Sequence, residues 1–217
     1  MRRILLALAL LIPLAATAAD NDVDKVLGSV TVEAGQHAGE VSSVNGSVHI
    51  GDHAVVEKAS TVNGSVNLGE QVQAGELDTV NGSIRLGADS HVSGKVETVN
   101  GGIHLARGVQ VDGHLSNVNG DITLDHAHAA AGIETVSGDI TVGAGSRVEG
   151  GILVNKNNDS GWFHWGSSDK PVIVIGPHAV VQGTLEFRRE VELKVSDSAQ
   201  IGPVKGATVE KFSGAAP

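Results

Sequence analysis

The phrase "TVNGSVNLG" at Thr61–Gly69 returns eighteen residues later as "TVNGSIRLG" at Thr79–Gly87, and this self-similarity limits what the chain can fold into. Aligned on one Val, the repeat has seven copies. Val26, Val44, Val62, Val80, Val99, Val118 and Val136 stand 18, 18, 18, 19, 19 and 18 residues apart. Gly follows two residues after each, at Gly28, Gly46, Gly64, Gly82, Gly101, Gly120 and Gly138. Aliphatic residues recur four and six positions after the Val, as in Val66 and Leu68, and a small or aliphatic residue three before it, as in Ala59 and Leu77. A fixed period near twenty marks a solenoid, in which each unit buries its apolar side only by stacking on its neighbours.

Inside a unit the alternation Val66-Asn67-Leu68 is that of a half-buried strand, and no stretch after the N-terminal segment has a helical stripe. Eighteen residues divide into three sides of about six, which predicts an all-β chain: a single-stranded, three-faced parallel β-helix climbing about 4.8 Å per turn. Parallel crossovers prefer the right hand, so a right-handed coil is expected. Its aliphatic residues, the stacked column Val62, Val80 and Val99 included, are expected to face the axis. With 29 Gly, two Trp, three Phe and no Tyr among 217 residues, the composition suits short strands and tight bends rather than helices.

The pairs Asn45-Gly46, Asn63-Gly64, Asn81-Gly82, Asn100-Gly101 and Asn119-Gly120 fall where the coil must bend. Asn-Gly is turn chemistry, and Gly adopts φ > 0 freely, so left-handed corners are expected here. Stacked once per turn, the Asn amides can also bond along the axis.

The pattern breaks at "NKNNDSGWFHWGSSDK", 155–170, which carries Trp162, Phe163 and Trp165. It resumes in "IGPHAVVQG", Ile175–Gly183, a close match to "IGDHAVVEK", Ile50–Lys58. Residues 155–170 therefore read as a loop inserted at a corner of a β-helix spanning 26–211, with about nine turns in all. Residues 19–25 read as a short lead or cap and 212–217 as a flexible tail. The three aromatics are candidate contacts for a ligand or partner, with packing onto the flank of the coil as the alternative.

Arg2 and Arg3 precede the apolar run Ile4–Ala16, followed by the small residues Ala16-Thr17-Ala18. That is the pattern of a signal peptide over 1–18, too short to span a bilayer comfortably, and it predicts a periplasmic or secreted protein with no stable membrane span in the mature chain. The chain has no Cys, so neither a lipid anchor on Cys nor a disulfide is available. Loss of 1–18 removes two Arg and no acid, taking the formal net charge from −10 to −12 and disfavouring nucleic acid as a partner.

Ordinary active-site chemistry is missing from the sequence. There is no Cys nucleophile, G-x-S-x-G elbow, P-loop or H-E-x-x-H, and no cofactor is implied. Asp121 and Asp139 stand at matching positions of adjacent turns, close enough to share a cation or a proton if both point the same way. His126 and His128 would share a strand face, but the matching positions Arg107, Val109, Ala144 and Ser146 offer no third zinc ligand. A different reading comes from Ser43, Thr61, Thr79, Thr98, Asn117 and Thr135, each just before the repeated Val. With the Asn two residues on, Thr-x-Asn would form two outer ranks of an ice-binding face.

The stretch "VIVIGPHAVVQGTLEF", Val172–Phe187, resembles the bactofilins, bacterial polymer-forming β-helix proteins, and "VNGSVxL" is similar to the repeats of secreted adhesin-like β-helix proteins. The resemblance implies a non-enzymatic structural or adhesive protein. Its partners would be further copies added end to end, or a glycan or protein of the cell envelope. Ice binding is the alternative, and polysaccharide cleavage a more distant one.

Overall fold

The computed structural model describes residues 22–156 and 170–217. Every element in them is a strand, every strand pairing is parallel, and the chain winds into one β-helix. No helix of the described residues is long and apolar enough to cross a membrane.

Three faces make the coil. The first is a ten-stranded sheet that starts at Val30–Val32 and ends at Val209–Phe212, so the coil has ten turns, one more than the period suggested. At about 4.8 Å per step this is a rod on the order of 40 Å long. The second and third faces run together at the start, where His37–Asn45, Val55–Asn63 and Gln73–Asn81 are continuous nine-residue strands. From the turn of His91 they separate into two-residue strands such as His91–Val92 and longer ones such as Val96–Asn100. The separation coincides with the lengthening of the period from 18 to 19 residues.

The core is a continuous column of aliphatic side chains. On the first face Val30, Val48, Val66, Ile84, Ile103, Ile122, Ile140, Ile173 and Leu193 stack in register, each at most 1% exposed. The second and third faces contribute Val56, Ala74, Val92 and Val41, Ala59, Leu77, Val96. No single turn encloses these residues, so stability comes from neighbour-on-neighbour burial.

Left-handed backbone is confined mainly to a corner other than the expected one. Between the first and second faces His53, Gln71, Asp89, His126 and His178 have φ between 48° and 59°, and Gly35, Gly108 and Gly145 match them in other turns. At the Asn-Gly corner no Asn has φ > 0, and of the repeat glycines only Gly28 and Gly120 do. The requirement for Gly there is close approach. A Cβ on Gly82 would sit 1.9 Å from the carbonyl oxygen of Gly64, and one on Gly64 2.2 Å from that of Gly46.

The insertion leaves from this same corner, between Gly151–Val154 of the third face and Val172–Ile175 of the first. Trp162, Phe163 and Trp165, like residues 1–21, lie outside the described residues.

Candidate functional site

The third face carries a groove of about 760 Å³, running across six turns from Ser42 to Glu134. Its walls follow from strand alternation. In Lys58-Ala59-Ser60-Thr61-Val62-Asn63, Ala59 and Thr61 point inward, which forces Ser60 and Val62 outward.

The repeated Val is therefore an outer residue. Val44, Val62, Val80, Val99 and Val118 stack between the paired positions Thr61, Thr79, Thr98 and Asn63, Asn81, Asn100, and each is 40–41% exposed. They form an apolar ridge parallel to the axis. The column expected from the sequence exists, but it faces solvent.

The Ser/Thr rank is the corresponding inversion. Ser43, Thr61, Thr79, Thr98, Asn117 and Thr135 are buried, none more than 4% exposed. Each hydroxyl of the first four satisfies a carbonyl of the turn before it. Ser43 Oγ donates to Gly28 O at 3.0 Å, Thr61 Oγ1 to Gly46 O at 2.8 Å, Thr79 Oγ1 to Gly64 O at 2.9 Å and Thr98 Oγ1 to Gly82 O at 2.9 Å. A hydroxyl on an aliphatic-sized side chain suits an inward position beside a corner carbonyl that would otherwise be buried without a partner. The Thr rank thus lies inside, and the double outer rank expected of Thr-x-Asn does not form.

On one side of the Val ridge runs the Asn ladder. The Nδ2 of Asn63, Asn81, Asn100 and Asn119 donates to the Oδ1 of the Asn one turn below, at 2.9, 2.9, 3.0 and 3.1 Å. On the other side, across the groove, stand Ser42, Ser60, Asp78, Glu97, Ser116 and Glu134, one per turn. Lys58 lies 3.9 Å and Lys95 3.8 Å from Asp78, and Lys95 is 2.6 Å from Glu97. Burial beside the groove pushes the Asp78 carboxyl above its ordinary value, against the pull of Lys95 and Lys58. The bond to Glu97 holds the Lys95 ammonium above its usual range.

Two turns depart from this bonding: Thr135 Oγ1 accepts the N–H of Gly138 at 3.2 Å, and the other turn has no hydroxyl. Asn117 replaces Thr; its Nδ2 reaches Gly101 O at 3.5 Å and also donates to Gly120 O, while its buried Oδ1 has no partner.

The acid and histidine candidates do not assemble. Asp139 Oδ1 accepts the backbone N–H of Val172 at 2.8 Å, so this carboxylate caps the turn after the insertion. His126 occupies the left-handed corner and sits 2.6 Å from Asp125 Oδ1. His128 pairs in register with Gln110 and Arg147, a different pair of neighbours from those expected, and lies 3.3 Å from Glu149 Oε1. Among the described residues no group of three or more His, Cys, Asp or Glu is placed to hold a metal ion. His104, half-buried on the first face, has its imidazole pushed below the ordinary value by burial and by Arg85.

No family model matches the chain, and no curated protein and no solved structure matches it.

Proposed function

We propose that the protein is a non-enzymatic, exported structural rod that works by the surface it repeats along its length. The observation that supports this most directly is the third face. Its extended feature is an apolar Val ridge between an Asn ladder and a mixed row of Ser, Asp and Glu, with the Thr hydroxyls of the floor buried in backbone bonds. A surface of this kind recognises an extended partner, such as an envelope polymer or another rod, by repeated weak contacts.

The ends favour a unit of fixed length. Lys211 stands over Val195 in a column otherwise filled by aliphatic residues such as Val32, Ile50 and Val142. An inward-directed charge at a sheet edge discourages further pairing. End-to-end assembly is the second reading, because one outer row begins at Asp24 and finishes at Lys205, so that stacked copies would bring opposite charges together.

Fractionation of cells expressing the full chain, with N-terminal sequencing of the product, tests export: mature protein beginning at Ala19 or Asp20 outside the cytoplasm is expected, and an uncleaved cytoplasmic product overturns it. Electron microscopy of the purified mature protein separates short rods from filaments.

A further inference from the structure

The Val ridge is an exposed apolar stripe in register over five turns, and its regularity restricts what can cover it. We infer that the third face is the contact between two copies of this chain lying side by side and pointing the same way, the ridge of each seated in the groove of the other.

The first ground is spacing. Successive Val residues are one strand spacing apart, about 4.8 Å. A helix laid along the ridge repeats about every 5.4 Å and is about half a strand spacing out of step by the fifth Val. A single extended segment repeats its side chains about every 7 Å. A second coil of the same period stays in step over the full length.

The second ground is how the rows match. Two coils facing each other are related by a two-fold axis either across the rods or along them. An axis across the rods runs them antiparallel and sets the row that holds Asp78, Glu97 and Glu134 against its own copy, so that its carboxylates meet serines or one another and gain no amide partner. It also stacks ridge on ridge. An axis along the rods exchanges the two sides, so that the acidic row of one copy meets the Asn ladder of the other. Each ladder amide uses one of its two hydrogens within its own coil, at 2.9 to 3.1 Å, and the second is free to reach a carboxylate. In this arrangement ridge and groove also interlock, Val80 of one copy lying over Thr79 of the other. The contact is isologous and closes at two copies.

The chain has no Cys, so single cysteines report the geometry without background. Val44→Cys, Val80→Cys and Val118→Cys, each oxidised separately in otherwise unchanged mature protein, are expected to give disulfide dimers at comparable rates, because a two-fold axis along the rods keeps like residues at the same height, side by side across the axis, in every turn. Gln73→Cys, exposed on the second face, is expected to give none. Cross-linking at Val80 alone points to antiparallel rods and overturns the proposal, as does its absence at all three. Filaments growing from the ends bring none of these mid-rod positions together, so the outcome is independent of end-to-end assembly. Sedimentation supplies the second readout: the parent protein is expected to form dimers, and Val80→Lys monomers whose melting temperature matches that of the parent diluted until it is monomeric. A parent that stays monomeric at millimolar concentration contradicts the proposal.

Discussion

Thr79 Oγ1 donates to the carbonyl oxygen of Gly64 at 2.9 Å, while the neighbouring Val80 turns its side chain to solvent. This pair sets the polarity of the whole third face: hydroxyl inward, aliphatic outward. Thr79→Val keeps the shape but leaves a buried carbonyl without its donor, and is expected to destabilise the coil by about 1–2 kcal/mol in chemical denaturation. Thr79→Ser, which keeps the hydroxyl, is expected to lose less.

The repeat glycines make a sharper test of close packing between turns. Gly82→Ala introduces a methyl 1.9 Å from Gly64 O without any demand for left-handed backbone. Adjacent turns must separate locally, and a loss of about 1–3 kcal/mol is expected from overpacking. A neutral substitution would remove close approach as the reason for Gly at this corner.

Asn117 is the weak member of its rank. Replacing it with Thr restores the hydroxyl bond that Ser43, Thr61, Thr79 and Thr98 make and removes the unpartnered Oδ1. Asn117→Thr is expected to raise stability by about 1 kcal/mol, measured as a shift of the denaturation midpoint.

His104 gives the coil a pH dependence with a definite sign. Its folded-state value is lowered below 6.5 by burial and by Arg85, so the unfolded chain takes up the proton first as pH falls. The stability associated with neutral His104 is fully present above about 6.5 and is lost as pH drops from there to the lowered value. Melting temperatures of the parent and of His104→Gln should converge over that window.

Much of the architecture was legible because Gly and the core aliphatics recur at fixed positions, and stacking leaves few ways to satisfy such a period. The direction of the repeated Val was legible too, but only through parity. Ala59 and Val62 are three apart within one strand, so they point to opposite sides, and Ala59 lines up with Val41, Leu77 and Val96 in the core. Reading every aliphatic residue as core overrode that signal and moved Thr61 to the wrong side. The left-handed corner could not be read, because His53, Gln71, Asp89 and Gly108 share no residue type there. Nor could the ion pairing of Asp78 with Lys58 and Lys95, which depends on side chains from three different turns.

The most direct test is thiol labelling of two adjacent single-cysteine variants, Thr79→Cys and Val80→Cys, in folded protein dilute enough to sediment as monomer. The inward hydroxyl rank and outward Val ridge predict prompt modification at position 80 and protection at position 79 until the chain is unfolded. Rapid labelling at 79 with protection at 80 would contradict them.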